Sequence, residues 1–323
     1  MSALSRLCAF IFALGFSVPA SAASWTGPYS GVHIGVGQDT SSQSDTWTWL
    51  NNFPTGSLVG FGGGPLAPTT APMTTTTTFT NQYHHSSVGL IGGVQAGYNW
   101  QFGRMVVGLE GDWSGSTQRD TVSSSAQPVA GVFPPVPNFF FIPGTIQGWT
   151  SEEKIDWLTT LRGRVGFARD SFLWYVTGGA AAAKISSNYT LVSSPGNPGL
   201  AVAAGANGPG SFAAFGLPGG VAGGSSSTTK FGWALGAGVE TSIGDLLGWG
   251  HGWSAKLEYL YVDLGTVNTT INTGLTPVIG TTTTSVVTGS TTFTASNHVR
   301  EQIVRVGFNY KFADWNRPDL RRN

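Results

Sequence analysis

Eight segments of this sequence alternate apolar and polar residues with a period of two, and this alternation constrains the fold more than any other feature. Such a period predicts strands that are buried on one face only. Each segment is long enough to cross a lipid bilayer as a tilted strand, which requires about 9–11 residues. The eight predicted strands lie near residues 27–38, 86–100, 105–115, 154–167, 172–186, 230–243, 253–264 and 298–312.

The connections between these strands alternate between short and long. The three short connections are 101–104, 168–171 and 244–252. The four long connections, rich in Gly, Ser, Thr, Ala and Pro, are 39–85, 116–153, 187–229 and 265–297. Outer-membrane barrels have short periplasmic turns and long extracellular loops. The sequence therefore predicts an all-β, eight-stranded antiparallel up-and-down transmembrane β-barrel with long extracellular loops. From their composition we expect these loops to be flexible and solvated; a contact surface is the alternative.

Charged residues assign the two faces of each strand. A Lys or Arg on the lipid face at the bilayer midplane costs about 2–4 kcal/mol, so the charged face should point into the lumen. Leu161 and Val165, for example, share one face, and Arg162 and Arg164 lie on the other. Aromatic residues near the strand ends predict two interfacial girdles. The periplasmic girdle would contain Trp25, Tyr29, Tyr98, Trp100, Tyr310 and Phe312, and the outer one Trp113, Tyr259 and Tyr261.

Ten charged residues are expected to share the lumen, and they form the candidate site. The interior of an eight-stranded barrel is just wide enough to be filled by side chains. An isolated buried charge is costly, so opposite charges are predicted to pair. The predicted lumenal charge network combines Glu110, Asp112, Glu240, Glu258 and Glu301 with Arg162, Arg164, Lys256, Arg305 and Lys311. We interpret it as a structural plug of ion pairs, with a narrow gated pore as the alternative.

Two charges, Asp263 and Arg300, occupy the lipid-facing register at the loop ends of adjacent strands. A charge near the interface costs only about 0–1 kcal/mol, so we expect both at the outer rim, as a pair. Ser296 and His298 could approach Asp263 there. Such a triad would make the protein an outer-membrane lipid hydrolase, which is a second alternative to the structural role.

Composition excludes several classes of protein. Charged residues are 10% of the 323 residues, against roughly 25% in an average soluble protein. The formal net charge of +0 at pH 7 implies no general attraction to nucleic acid. The sequence has no window of 18 or more apolar residues, which excludes a polytopic helical membrane protein.

The first 22 residues are predicted to be a secretory signal peptide. Arg6 precedes a short apolar core, and Ala20-Ser21-Ala22 has the small-x-small form of a cleavage site. The one cysteine, Cys8, lies in this segment, so the mature chain is expected to lack thiol chemistry. The predicted organisation is a signal peptide (1–22), a barrel domain (23–312) and a short periplasmic tail (313–323).

The histidines do not indicate a metal site. His84 and His85 are adjacent, would point apart in a strand and lack a third ligand. His33 is expected on the lumenal face of the first strand as a packed, hydrogen-bonded side chain. The other two of the five histidines are His251 and His298. No metal, cofactor or catalytic residue is predicted.

Several motifs resemble the alphaproteobacterial outer-membrane immunogenic proteins, a porin-like family within the OmpA-type small outer-membrane barrels. The segment 25–31, Trp-Thr-Gly-Pro-Tyr-Ser-Gly, resembles their W-x-G-x-Y-x-G start. Similar motifs follow in all eight strands, among them 92–100, 161–166, 232–240 and 305–312. The resemblance implies an integral outer-membrane barrel exposed at the cell surface, with no catalytic residues to transfer.

We therefore expect an exported bacterial outer-membrane protein with a structural, surface-exposed role, and a passive channel for small solutes as the first alternative. The expected partners are outer-membrane lipids, lipopolysaccharide and the barrel-assembly machinery, without nucleic acid. Neither the partner of the extracellular loops nor the oligomeric state follows from the sequence.

Overall fold

The computed structural model describes most of the chain between residues 24 and 312. The described residues are 24–53, 58–59, 67–68, 71–84, 86–127, 146–193, 199–201, 213–216, 220–247, 252–272, 278–280 and 286–312. The predicted signal peptide, the predicted tail, His85 and His251 lie outside them.

The described residues are almost entirely β-strand. The strands are β1 (Gly27–Asp39), β2 (Ser42–Phe53), β3 (Leu58–Val59), β4 (Ala67–Pro68), β5 (Met73–His84), β6 (Val88–Phe102), β7 (Met105–Ser116), β8 (Arg119–Gln127), β9 (Ile146–Arg169), β10 (Phe172–Ser193), β11 (Gly199–Ala201), β12 (Ala213–Gly216), β13 (Gly220–Ser242), β14 (Trp253–Asn272), β15 (Val278–Gly280) and β16 (Val286–Lys311). A short helix, α1 (Gly244–Leu247), lies between β13 and β14. No described helix is long and apolar enough to cross a membrane.

Eight of these strands form a closed antiparallel ring. Its order is β1, β6, β7, β9, β10, β13, β14 and β16, and β16 pairs back with β1. The predicted eight-stranded up-and-down barrel is therefore confirmed. Its two tightest turns are two-residue connections, one at Gly103-Arg104 and one at Asp170-Ser171. Gly103 and Asp170 have φ values of 62° and 56°, which such hairpins require.

The ring continues past the membrane as two separate leaves of four strands. In the first leaf, the upper part of β9 pairs with β8 and β10, and β10 also pairs with the upper part of β13. In the second leaf, the upper part of β16 pairs with β14 and β2, and β2 pairs with β5. The ladder between β13 and β14 extends up only to Trp233 opposite Asp263, so the leaves separate above this point.

The two leaves pack face to face as a sandwich. The rings of Tyr189 and Phe293, from opposite leaves, lie 5.4 Å apart, and both residues are buried. The expectation of flexible, solvated loops is therefore wrong for the described part of these connections. The threonines at 74–78 lie in β5 and pair with β2. Thr is favoured in strands, and the antiparallel ladder satisfies the backbone hydrogen bonds that we expected water to satisfy.

The outer face of the ring carries the apolar band predicted from the sequence. Leu161 is 66% exposed and Val176 is 61% exposed. Arg162, which follows Leu161 on β9 and points to the opposite face, is 0% exposed. Phe167 lies ten positions after Trp157 on β9. At about 3.3 Å per residue and a tilt of about 40°, the band is about 25 Å tall, which fits a bilayer.

The aromatic girdles differ from the prediction in two residues. Trp25 and Tyr29 are buried, at 6% and 4% exposure. They point into the lumen, where the hydroxyl of Tyr29 donates to Glu110. Tyr29 has the strand parity of His33, which lies four positions further along β1 and is also buried in the lumen. The exposed aromatics near the periplasmic end of the barrel are Trp100, Phe102, Phe167, Trp174, Tyr310 and Phe312.

Candidate functional site

The register of the ring brings opposite charges face to face inside the lumen. Glu110 on β7 lies directly opposite Arg162 on β9. Glu258 on β14 lies opposite Arg305 on β16, and Glu240 on β13 lies opposite Lys256. Directly opposite residues of a sheet share one face, so these pairs all project into the barrel. The periodicity of two therefore supplies both the apolar exterior and the charged interior.

Arg162 lies at the centre of this layer. Its guanidinium contacts Glu110 at 2.7 Å, Asp112 at 2.9 Å and Glu258 at 3.1 Å. Its Nε atom also donates to the hydroxyl of Thr160. A buried charge needs both an opposite charge and hydrogen bonds to offset its lost hydration, and Arg162 has both.

Contacts across the lumen join opposite walls of the barrel. Lys256 on β14 donates to both carboxylate oxygens of Glu110 on β7, at 2.9 and 3.0 Å. Arg305 on β16 contacts Asp112 at 2.9 Å. Because β7 lies opposite β14 in the ring of eight, the Glu110–Lys256 pair spans the bore. A Cβ added at Gly307 would lie 3.0 Å from Cε of Lys256, so the lumenal glycine makes room for this side chain.

A second arginine, Arg164, occupies the periplasmic side of the layer. Its Nη1 atom lies 3.1 Å from Glu240, and Nε donates to Asn99. The guanidinium carbon lies 4.7 Å from the centre of the Tyr29 ring and 5.2 Å from that of Tyr175. These cation–π contacts place two aromatic rings against the guanidinium on the periplasmic side of Arg162.

Eight of the ten predicted network residues thus lie together, four carboxylates with four cations. We call these eight residues the charged layer: Glu110, Asp112, Glu240, Glu258, Arg162, Arg164, Lys256 and Arg305. All eight are at most 5% exposed. Their formal charges cancel, so the layer is compact and electrically neutral as a group.

Two predicted members do not belong to this layer. The Nζ atom of Lys311 donates to the backbone carbonyl of Ser24 at the periplasmic mouth. Glu301 is buried but lies opposite Asp39 at the extracellular end of the ring. Both have the lumenal parity on which the assignment was based. The assignment was wrong because parity gives the face of a strand and not the height in the barrel.

Sequence reasoning missed an apolar layer in the lumen directly above the charged layer. Leu260 is 0% exposed and Ile303 1%. The signal was present, because Leu260, Val262 and Leu264 continue the lumenal parity of Glu258. The cluster contains Ile91, Ile155, Leu158, Ala181, Ala183, Ile185, Ala234, Leu260, Val262, Leu264, Val267, Val299 and Ile303.

At the outer rim, Asp263 brings two other predicted residues together. The Nε atom of Arg300 lies 3.6 Å from Asp263, as the expected rim pair requires. The Nε2 atom of His298 lies 3.0 Å from the other carboxylate oxygen. Ser296 lies two residues along the same strand, opposite Ser44 of β2. Of the three residues of the suggested triad, His298 and Asp263 are therefore in contact with each other.

The remaining described histidines lie apart. Nε2 of His33 hydrogen-bonds the hydroxyl of Ser114 at 2.8 Å and is buried in the lumen, so the expected packed histidine is confirmed. His84 is exposed at the end of β5. In the described part of the chain, no group of three His, Cys, Asp or Glu residues could hold a metal ion.

Within the extracellular sandwich, burial changes the acidity of one side chain. Burial raises the pKa of Tyr189 to about 12, and the nearby carboxylates of Glu153 and Asp45 act in the same direction. Loss of the Tyr189 proton would place a negative charge beside these two acids. The phenol therefore stays neutral in the folded sandwich through the neutral pH range.

The fold and the charged lumen define an integral β-barrel of the bacterial outer membrane. The chain matches the family described as the outer membrane protein beta-barrel domain over residues 8–312, and it belongs to this family. This match confirms the expected location in the outer membrane.

Two relatives from Brucella support the same assignment. The chain is 29% identical over 280 residues to the 31 kDa outer-membrane immunogenic protein of Brucella melitensis biotype 1, covering 84% of this chain and 88% of the relative. The protein of the same name from Brucella suis biovar 1 gives the same values. The resemblance stated from the motifs is thereby confirmed.

Solved structures are more distant. The outer membrane protein OprG of Pseudomonas aeruginosa has a TM-score of 0.35 and 13% identity, covering 92% of this chain and 100% of that protein. The outer membrane protease OmpT of Escherichia coli has a TM-score of 0.33 and 9% identity, covering 87% of this chain and 97% of that protein.

Proposed function

We propose that this protein is a non-enzymatic surface protein, in which a barrel closed to solutes anchors an ordered extracellular β-sandwich. The observation that carries the proposal is that two consecutive layers of buried side chains fill the bore. The charged layer spans it through the Glu110–Lys256 and Arg305–Asp112 contacts. The apolar layer, with Leu260 and Ile303, lies directly above it.

The two layers support a closed barrel for different reasons. A solute that passes the charged layer must separate ion pairs that have little water to replace their partners, and breaking a buried pair costs about 3–5 kcal/mol. An ion that passes the apolar layer must lose its hydration among side chains that are mostly aliphatic. The buried Glu301 also lies at this height, opposite Val262 and between Val299 and Ile303 on β16. Either layer alone opposes passage, and together they disfavour the passive-channel alternative.

The test for a channel is solute uptake by liposomes that contain the refolded full chain. We expect swelling in a small neutral sugar to be no faster than in protein-free liposomes. An opened variant that lacks part of both layers, Arg162→Ala with Leu260→Ala, provides the positive comparison. Swelling that increases with the amount of wild-type protein would contradict the closed barrel.

The lipid-hydrolase alternative depends on the His298–Asp263 contact of 3.0 Å at the outer rim. We expect no release of fatty acid when the refolded protein is incubated with phospholipid vesicles. His298→Ala and Ser296→Ala are the matched variants. A release that wild type supports and either variant abolishes would overturn the non-enzymatic role.

A further inference from the structure

Two lysines lie on the outer surface of the barrel immediately above its apolar band. Lys154 on β9 and Lys184 on β10 each lie between buried neighbours, so both point away from the interior. Lys184 is directly opposite Trp157 in the register, at the top of the band. Their side chains are 39% and 44% exposed. The lysines therefore stand where the headgroups of the outer leaflet begin.

A β-bulge builds this site. The register shifts between Lys184 and Ile185, and Asp156 is the extra residue on β9. Bulges commonly redirect a side chain, and here Asp156 faces outward between the two lysines. Its carboxylate lies 2.9 Å from Nζ of Lys154 and 4.0 Å from Nζ of Lys184, and Ser186 donates to it at 2.8 Å.

The charges of the site are not balanced. Asp156 accepts hydrogen bonds from Lys154 and Ser186, and these hold its pKa below the usual range of an aspartate. Its carboxylate is therefore ionised at neutral pH. One carboxylate then faces two ammonium groups, which leaves one positive charge in excess. Lys184, the more distant and more exposed of the two, has the freer ammonium group.

Apolar surface lies directly below this charge. On β9, Leu161 and Val165 are 66% and 50% exposed and continue the outward face toward the periplasm. Among the described residues of the ring, no Asp, Glu, Lys or Arg interrupts the outward face of β9 between Asp156 and Arg169. A ligand that joins a phosphate to long acyl chains matches both parts of this surface, whereas free phosphate uses only the upper part.

We propose that Lys154 and Lys184 bind a phosphate of a lipid headgroup in the outer leaflet, namely a lipid A phosphate of lipopolysaccharide. The acyl chains of the bound lipid lie along Leu161 and Val165. Asp156 and Ser186 position the two ammonium groups around the phosphate. This binding requires the outer-membrane location but not the closed lumen, so it can fail while the proposed function stands.

The test is a titration of the refolded full chain in a neutral detergent with purified lipopolysaccharide. Binding is measured by the rise in melting temperature and by the dissociation constant. For Lys154→Gln with Lys184→Gln we expect about 30-fold weaker binding, the effect of two lysines at a membrane surface. Lys184→Gln alone should weaken the binding of lipopolysaccharide about fivefold. Heat-modified gel mobility verifies that the variants fold.

The matched control removes two positive charges at the other end of the barrel, Arg104→Gln with Arg169→Gln, and should bind as tightly as wild type. Lipopolysaccharide with its lipid A phosphates removed should bind weakly to wild type, and inorganic phosphate should raise the melting temperature little. Equal binding by the two double variants would overturn the proposal. So would tight binding of the dephosphorylated lipid, or inorganic phosphate acting as strongly as the lipid.

Discussion

The interior of the barrel and the interior of the extracellular sandwich hold buried carboxylates in different ways. In the barrel, the four carboxylates of the charged layer face four buried cations. In the described part of the sandwich, the buried acids Asp45 and Glu153 accept hydrogen bonds from neutral amides, those of Gln43 and Asn297. Both acids also lie near the phenol of Tyr189. Removal of one charge should therefore destabilise the barrel, and ionisation of Tyr189 should destabilise the sandwich.

The largest effect should come from removing Arg162. Arg162→Ala removes one of the two guanidinium groups that Glu110, Asp112 and Glu258 share; the other, that of Arg305, remains. Losing one side of a buried ion pair costs about 3–5 kcal/mol. We expect a clearly lower melting temperature of the refolded barrel. The control is Leu161→Ala, the adjacent residue on the lipid face, which should have a smaller effect because lipid fills the space. Equal effects of the two substitutions would remove the distinction between charged interior and lipid face.

Truncation of the apolar layer should cost somewhat less. Leu260 is 0% exposed, and Leu→Ala at a buried site typically costs about 2–5 kcal/mol. Leu235→Ala is the matched control, because Leu235 is 57% exposed on the lipid face. Thermal melting should separate the two variants. If Leu260→Ala melts like Leu235→Ala, the upper lumen is not a packed core.

The stability of the protein at alkaline pH tests whether Tyr189 is buried beside carboxylates in the sandwich. The pKa of Tyr189 is raised from 10.0 to about 12, so the folded protein holds this proton more tightly than the unfolded chain. Its contribution to stability is complete below about pH 10 and is lost as the pH rises toward about 12. One pKa unit corresponds to about 1.4 kcal/mol, so the loss is at most about 3 kcal/mol. Tyr189→Phe, which cannot ionise, should melt higher than wild type only in this alkaline range, and a constant difference across pH would contradict the assignment.

The smallest effect should come from the ion pair at the rim. Arg300 lies 3.6 Å from Asp263 and is 40% exposed. Exposed pairs contribute about 0–1 kcal/mol and are screened by salt. Arg300→Gln should therefore change the melting temperature slightly, and less at high salt. A loss as large as that of Arg162→Ala would show that burial does not separate the two regions.

The sequence predicted the eight strands, their faces and the pairing of opposite charges, because lipid on one side imposes a strict period of two. It did not predict which charges meet. Glu110 and Lys256 are 146 positions apart and meet only because the ring places their strands on opposite walls. Glu301 and Lys311 show the same limit, since height in the lumen depends on the register of every strand between them.

The sandwich was beyond prediction for another reason. The Thr-rich segment at 74–78 has a composition that fits both a solvated loop and a strand, and only its pairing with β2 decides between them. The apolar layer, by contrast, could have been found. Leu260, Val262 and Leu264 have the parity of Glu258, but apolar residues on a lumenal face are unexpected where the lumen is assumed to be polar.

The closure of the lumen is the central claim, and the conductance of the refolded full chain in a planar lipid bilayer tests it most directly. We predict that wild-type protein produces no current steps when it is folded, as heat-modified gel mobility shows, and reconstituted in the bilayer from lipid vesicles that carry it. The variant that combines Arg162→Ala with Leu260→Ala should produce small steps, because both layers are then incomplete. Steady ohmic steps from wild type would contradict the account and would make the barrel a channel.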